Sequence, residues 1–290
     1  MAKPLRNLSM IAILLFAIFS TQSANAQLTG TKNIPGDYAT LELAVNDLNI
    51  QGVGAGGVVL NVVAANPQSA PAGGYSITAT GTVANTITIT GNSNTITASN
   101  ALVVGNLNDG IFKLIGSDYV TIQGFTMLEN AANLVTAAAT NNMTEWGVAL
   151  LYATATDGAQ NCTIQNNTIT LNRTYQNTFG IYSNSTHTAT VINVSATATG
   201  ATGGNSGLRI YGNAIDNINL GIVIIGPTAI ADANTGIDVG GSLLSQGNVI
   251  TNYGTTGTFS AYANVSTTVN GILIRNSNGF NCSYNTVTSS

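Results

Sequence analysis

Charged side chains are scarce in this sequence. Asp, Glu, Lys and Arg together make up 6% of its 290 residues, and the formal net charge is −4. Ordinary globular domains contain about 25% charged residues. Recognition of DNA or RNA usually needs a stripe of Lys and Arg, so we predict no nucleic-acid partner. The apolar content of 44% is too high for a disordered linker, so we expect the chain to fold.

Cysteine and histidine are almost absent. Cys162 and Cys282 fall in predicted strands about 14 Å apart along a stacked array. A disulfide needs Cα atoms within about 7 Å, so we predict two buried free thiols. His187 has no acid close to it in sequence and lies in a predicted insertion, so we interpret it as a surface residue. No residue cluster commits the chain to a reaction, and we predict no catalytic residue, metal or cofactor.

Long apolar runs are missing after the first residues. Residues 1–26 have the pattern of a secretory signal peptide, with Lys3 and Arg6 before the apolar stretch Leu8 to Phe19. A small-x-small site predicts cleavage between Ala26 and Gln27. The alternative, an N-terminal membrane anchor, is disfavoured because the apolar stretch is too short to span a bilayer. We therefore expect a protein that is secreted or on the outer cell surface, without a transmembrane segment after cleavage.

Two landmarks recur along the rest of the chain. A glycine followed by a short β-rich run occurs at Gly110, Gly147, Gly180, Gly221 and Gly271, with spacings of 37, 33, 41 and 50 residues. An asparagine two residues before an aliphatic residue occurs at Asn167, Asn213, Asn248 and Asn285. Because the two series interleave, each repeat contains at least two short strands and two turns.

This repeat predicts a stacked array of strands. The runs alternate apolar and polar residues, and no repeat contains a helix that could serve as a crossover. The simplest solution is an all-β parallel β-helix whose coils lie about 4.8 Å apart. The four asparagines would then form a ladder of side-chain amides at one corner. A β-sandwich and a β-propeller are the rival arrays, and a propeller needs tight hairpins, for which there is little signal.

Lys113 conflicts with this alignment, because the register that buries Val148 and Leu150 would bury a charge. We therefore predict that the coil starting at Gly110 is shifted by one residue, with Phe112 and Leu114 inside.

One helix is predicted before the first strong strand. Ile34 to Asn49 has apolar residues on one face, and Asp37 or Thr40 can cap it. A helix here would cover the open end of the solenoid. The expected organisation is a leader and capping helix over 27–56 and a parallel β-helix over 57–290. We expect this β-helix to be truncated at its C-terminal end, since the chain stops directly after a ladder copy.

The sequence also resembles a known family. The stretch Ile34 to Leu41, the following Ala44 to Asn49 and the Asn-x-Ile coils resemble right-handed parallel β-helix proteins of the pectin-lyase-like superfamily. More narrowly, they resemble large secreted surface proteins of Gram-negative bacteria that carry a C-terminal sorting domain, which is not visible here. The resemblance covers most of residues 30–290. It implies a fold and not one function, because the superfamily includes lyases, hydrolases, esterases and adhesins.

Lyases of this superfamily combine a calcium site of stacked acids with an Arg base. The candidate acids here are Asp109, Asp118, Glu129, Glu145 and Asp157. Aligning Val120 with Cys162 leaves these acids unstacked, so we interpret them as solvated turn residues. Arg209 and Asp216 are expected to form a weak surface pair, and Arg275 to point outward. The Gly-His-Gly and Arg-x-Lys motifs and paired Asp residues of polygalacturonase-like relatives are missing.

Trp146 is the one candidate for ligand binding. An exposed ring could stack on a sugar, although such a ring more often packs against a loop. The favoured function is a non-enzymatic surface protein that binds a polysaccharide or matrix ligand, or a structural rod. The alternative is a polysaccharide lyase or glycoside hydrolase with a groove along one face of the solenoid. A spacer inside a longer protein is the third hypothesis.

Overall fold

The computed structural model describes residues 26–137, 140–184, 197–254 and 269–289. The chain in these ranges coils through three parallel sheets, which we name A, B and C in the order in which the chain visits them. Each coil adds one strand to each sheet, and every named strand pairs in parallel with strands of the neighbouring coils. The prediction of an all-β parallel β-helix is confirmed.

The strands of the three sheets have the following bounds. Sheet A contains β1 (Leu28–Ile34), β2 (Val53–Val62), β5 (Ile87–Thr90), β8 (Val120–Gln123), β11 (Thr163–Gln165), β14 (Arg209–Tyr211), β17 (Asn234–Val239) and β20 (Ser277–Cys282). Sheet B contains β3 (Gln68–Ser69), β6 (Thr95–Thr97), β9 (Thr126–Leu128), β12 (Thr168–Thr170), β15 (Ala214–Asp216), β18 (Val249–Ile250) and β21 (Thr286–Val287). Sheet C contains β4 (Tyr75–Ile77), β7 (Gly110–Ile115), β10 (Trp146–Leu151), β13 (Phe179–Asn184), β16 (Leu220–Ile225) and β19 (Ile272–Arg275). Helix α1 spans Leu41–Gln51, and two short 3₁₀ helices span Ile230–Asp232 and Leu244–Gln246.

The core is a set of in-register aliphatic columns inside the coil. In sheet A, Ile122, Ile164 and Ile210 are partners on successive strands, and all three are buried. Ile169 and Ile215 form the equivalent column of sheet B. Full burial of one such side chain contributes about 1.5–3 kcal/mol, so the repeated aliphatic position is the main stabilising feature of each coil.

The recurring glycine of sheet C faces this core. A Cβ on Gly180 would lie 2.6 Å from Cγ2 of Ile215, and one on Gly147 would lie 2.6 Å from Cγ2 of Ile169. Only glycine therefore fits where sheet C approaches sheet B. Gly110 differs, since its register partner is Trp146 and not Gly147.

The predicted one-residue shift of the coil at Gly110 is confirmed. Phe112 and Leu114 align with Val148 and Leu150 and are buried, while Lys113 points outward.

The four ladder asparagines lie in one column at the corner between sheets A and B. Oδ1 of Asn213 accepts hydrogen bonds from the backbone N and Nδ2 of Asn167, both at 3.1 Å. Asn248 accepts the same pair from Asn213 at 3.0 and 2.9 Å, and Asn285 accepts it from Asn248 at 3.0 and 2.8 Å. Each column amide therefore satisfies backbone and side-chain groups of neighbouring coils.

At three of the four ladder positions, the left-handed backbone belongs to the residue before the asparagine. Asn166 has φ 54° and Tyr284 has φ 58°, while the ladder residues are not among those with positive φ. Gly212, before Asn213, also has a positive φ of 61°, whereas Gly247, before Asn248, has φ −61°.

Helix α1 is shorter at its start than predicted. Residues up to Ile34 form β1, which pairs with β2, so the predicted leader contributes an edge strand of sheet A. Thr40 is the N-cap, and its side chain accepts from Leu43 N at 3.3 Å. The helix packs against β4, the edge strand of sheet C.

The helix also bonds to the exposed edge of β4. Asn49 Nδ2 donates to Ser76 O at 2.7 Å, and its Oδ1 accepts from the backbone N of Thr78 at 2.9 Å. A side-chain amide of the helix thus replaces the backbone partners of a missing strand, which is how it caps this end.

The two cysteines differ in exposure. Both are free, but Cys162 is buried and Cys282 is exposed. The prediction of two buried thiols is therefore half wrong, because β20 is an edge strand of sheet A in the described residues. Burial raises the pKa of the Cys162 thiol to about 12. Among the described residues, no helix has the length and apolar character needed to cross a membrane.

Candidate functional site

The outer faces of the three sheets differ sharply. On β10, β13 and β16 the outer face of sheet C is apolar and buried, with Trp146, Ala149, Leu151, Phe179, Tyr182, Leu220, Val223 and Ile225 in one cluster. Trp146 has no exposed surface, and its ring stacks on Tyr182 with centroids 5.3 Å apart and planes 3° apart. The prediction of an exposed ring is therefore wrong, because the ring packs inside this cluster.

Three of the five candidate acids converge beside this buried face. Asp109 ends the β6–β7 loop, while Glu129 and Glu145 begin and end the β9–β10 loop. The interpretation of these three as solvated turn acids is wrong. Aligning Val120 with Cys162 gives the correct register of the sheet A strands. It does not predict the conformation of the long β9–β10 loop, whose two ends lie close together.

Glu145 connects three successive coils. Its carboxylate accepts from the backbone N of Asp109 at 2.9 Å and from the hydroxyl of Tyr175, which lies in the β12–β13 loop. Glu145 is fully buried, and this desolvation raises its pKa well above the ordinary value. The negative charges of Asp109 and Glu129 raise it further, whereas the hydrogen bonds oppose the shift. Tyr175 carries no sequence signal for this role, because the contact depends on the packing of two loops.

Glu129 closes its own loop. It accepts from Thr144 N at 3.0 Å, from Thr144 Oγ1 at 2.9 Å and from Asn133 Nδ2 at 2.8 Å. Burial raises the pKa of Glu129, and these hydrogen bonds partly oppose the increase. The carboxylate thus holds the start and the end of the β9–β10 loop together.

Asp109 and Lys113 complete the cluster. Asp109 is 5% exposed, and its Oδ2 has no hydrogen-bond partner. Burial raises the pKa of Asp109 to about 6, against the attraction of Lys113. Burial also lowers the pKa of Lys113, which the charges of Asp109 and Glu145 oppose. A lysine with a lowered pKa can act as a general base, and carboxyls with raised pKa values can act as acids. The described residues contain no group of three His, Cys, Asp or Glu that could hold a metal ion.

The other two acids lie apart from the cluster. Asp118 accepts from the backbone N of Gln160 at 2.8 Å, and burial raises its pKa. Asp157 is exposed in a tight turn, where Ala153 N donates to its backbone carbonyl. Asp157 alone of the five matches the predicted solvated turn acid fully.

Arg209 has a different neighbour from the one predicted. Its cross-strand partner in sheet A is Asp238, while Asp216 lies in sheet B. Asp216 accepts from Thr251 Oγ1 at 2.6 Å and from Asn252 Nδ2 at 2.7 Å. The predicted Arg209–Asp216 surface pair is therefore wrong.

Sheet B presents a face rich in threonine, which sequence reasoning missed. Its outward positions are Thr95, Thr97, Thr126, Leu128, Thr168, Thr170, Ala214, Asp216, Val249, Thr251, Thr286 and Thr288, and we call this set the threonine face. These residues are exposed or half-buried, and they flank the inward column of Ile96, Met127, Ile169, Ile215, Ile250 and Val287. The Thr-x-Thr pairs that follow Asn94, Asn167 and Asn285 were a visible signal for it.

Sheet A presents a second polar face. Thr88, Thr121 and Thr163 are register partners on successive coils. Beside them, Gln165 Nε2 donates to Gln123 Oε1 at 2.7 Å. Toward the C-terminal end this face becomes charged, because Arg209 and Asp238 continue the threonine column.

Two predicted features are not fully tested by these contacts. Ala26 and Gln27, the predicted cleavage site, are exposed just before β1, and the preceding residues 1–25 lie outside the described residues. His187 also lies outside them.

Comparison with known proteins adds no relative. No family model, no curated protein and no solved structure matches this chain.

Proposed function

We propose that this protein is a non-enzymatic, extracellular β-helical rod that binds a polysaccharide or matrix polymer along one of its two open sheet faces, A or B. The observation that carries the proposal is the contrast between faces. Sheets A and B display in-register hydroxyl and amide side chains, whereas the outer face of sheet C is apolar and buried on β10, β13 and β16. Repeated polar side chains on a rigid rod suit a partner that is itself long and repetitive.

Assignment to the pectin-lyase-like superfamily, with a right-handed coil, is part of this proposal. It is supported by the parallel coils, the capping helix and the asparagine column. Secretion is supported by the charged start, the apolar stretch and the small-x-small site of residues 1–26.

A binding screen tests the proposed function. The purified chain is incubated with immobilised polysaccharides and with extracellular matrix proteins, and bound protein is quantified after washing. We expect saturable retention on at least one polymer and none on DNA. A chain that is folded by circular dichroism but retained on no polymer would contradict the proposal.

A polysaccharide lyase is the second candidate, favoured by Lys113 and its neighbours. A half-buried lysine with a lowered pKa lies beside Asp109 and Glu145, and such a group is a plausible proton acceptor. The full burial of Glu145 argues against it, since a substrate could not reach that carboxyl.

Release of unsaturated ends from pectin and alginate, followed by absorbance, tests this candidate. Activity that disappears in Lys113→Met but persists in the surface variant Lys32→Met would establish the lyase and replace the binding proposal. No release from any acidic polymer would remove the lyase.

A further inference from the structure

The threonine face is a two-dimensional array of hydroxyl and methyl groups. Eight of its twelve outward positions are threonine. Register pairing sets neighbours about 4.8 Å apart along the rod, and two residues of strand set them about 6.6 Å apart across it. Threonine is β-branched and has few rotamers, so the array is rigid before any ligand arrives. A rigid array loses little side-chain entropy on binding.

In the described residues, the threonine face is the outer surface of a sheet and not a concave site. Sites for small molecules are concave, and they surround most of the ligand surface. Two cavities, of about 230 and 260 Å³, lie between α1 and β4 and beside Pro227, away from this face. The face also carries no aromatic ring that could stack on one sugar. Each hydroxyl hydrogen bond contributes only about 0.5–1.5 kcal/mol net, so useful affinity requires many bonds made in parallel.

The charge of the threonine face limits which polymers it can bind. Asp216 is the only ionisable residue of the threonine face, and Thr251 and Asn252 already donate to its carboxylate. The whole chain has a formal net charge of −4. An acidic polymer would be repelled and would find no cation on this face, whereas a neutral polymer would not be repelled.

Because the threonine face is rigid, is the outer surface of a sheet and carries only one ionisable residue, we infer that it binds the ordered surface of an insoluble, uncharged polysaccharide. Ring hydroxyls of aligned glycan chains would meet the threonine hydroxyls, and C–H faces would meet the methyl groups together with Leu128, Ala214 and Val249. This inference rests on the proposed function and assigns the ligand class and the face that binds it.

Co-sedimentation with microcrystalline cellulose and with chitin tests the inference. Thr126→Lys combined with Thr168→Lys places two charges on the threonine face. Thr121→Lys combined with Thr163→Lys is the matched control, since it makes the same change on sheet A in the same two coils. We expect the first pair to weaken binding by tenfold or more, equivalent to about 1.4 kcal/mol. The control pair is expected to bind like the wild type, and soluble oligosaccharides are expected not to compete.

The outcomes separate this inference from the proposed function. Loss of binding in the sheet A pair alone would move the site and overturn the inference, but it would leave the rod as a polymer-binding protein. Stronger retention on alginate beads than on cellulose and chitin would overturn the neutral-polymer assignment. Retention on no polymer would contradict both proposals. Thermal hysteresis in freezing solution without binding to either solid would show that the array orders water, and it too would overturn the inference.

Discussion

The outer faces of sheets B and C are built from the same coils but have opposite surroundings. Both are outward positions of short strands stacked in register. On sheet C these positions hold Trp146, Phe179 and Tyr182, which are fully buried. On sheet B they hold mainly threonine, which remains at least partly exposed. Because the backbone repeats from coil to coil, the properties of each face are set by its side chains.

The connections to the two sheets differ in length. The β6–β7 loop, which leads into sheet C, spans residues 98–109, and the β9–β10 loop spans residues 129–145. The corner between sheets A and B is short, since only Asn166 and Asn167 separate β11 from β12. Sheet B thus follows a tight corner and keeps its outer side chains at least partly exposed, while apolar side chains on sheet C form a second buried cluster.

The largest expected difference between the faces is in their contribution to stability. Trp146→Ala removes a fully buried ring and should lower the free energy of unfolding by about 3–5 kcal/mol. Thr168→Ala on the threonine face should change it by no more than about 0.5 kcal/mol. Urea unfolding followed by circular dichroism measures both. If Trp146→Ala changed the free energy of unfolding as little as Thr168→Ala, the outer face of sheet C would not be packed as described.

A smaller effect tests how closely sheet C approaches sheet B inside the coil. Gly180→Ala places a Cβ 2.6 Å from Ile215 Cγ2 and 2.8 Å from Gly221 O. We expect a loss of about 1–3 kcal/mol from overpacking. Gly73→Ala is the matched control, because no atom lies within 4 Å of its added Cβ. An equal response at the two glycines in urea unfolding would contradict the close approach.

The sequence contains enough information to predict the coil and much of its interior. Stacking repeats one local rule, so in-register positions such as Asn213 and Asn248 can be read from spacing alone. The awkward Lys113 even predicts the correct shift of its coil, because burying a charge is strongly unfavourable.

The candidate sites were harder to predict, for physical reasons. Glu145 meets Tyr175 and Asp109 through loops of unequal length, and their packing follows no repeat. Trp146 was misassigned because burial on an outward face depends on what lies over the sheet, which strand periodicity cannot show. The threonine face was present in the pattern but is visible only when outward positions are aligned across coils.

The smallest expected effect is a dependence of stability on pH. It arises from the buried acids beside sheet C and not from the threonine face. Folding raises the pKa of Asp109 to about 6 and the pKa of Glu145 well above its ordinary value, in both cases mainly by burial. Below its unfolded pKa of about 4, such an acid is protonated in both states and does not affect stability. Stability then falls as pH rises from the unfolded pKa to the folded pKa, and it levels off above the folded pKa. Lys113, Glu129 and Tyr175 face the same cluster and act on these shifts. Asp109 should therefore make stability fall between about pH 4 and 6. Glu145 should add to this fall from about pH 4 upward, for as long as its buried carboxyl stays protonated in the folded state.

Glu145→Gln should make this fall shallower, because the amide has the shape of the carboxyl but does not ionise. The exposed Asp157→Asn is the matched control and should leave the slope unchanged. Urea midpoints measured from pH 4 to 8 give the slopes directly. A wild-type midpoint that rises with pH across this range would mean that the cluster is solvated, and the distinction between a covered sheet C and an open sheet B would then fail at its most deeply buried charge.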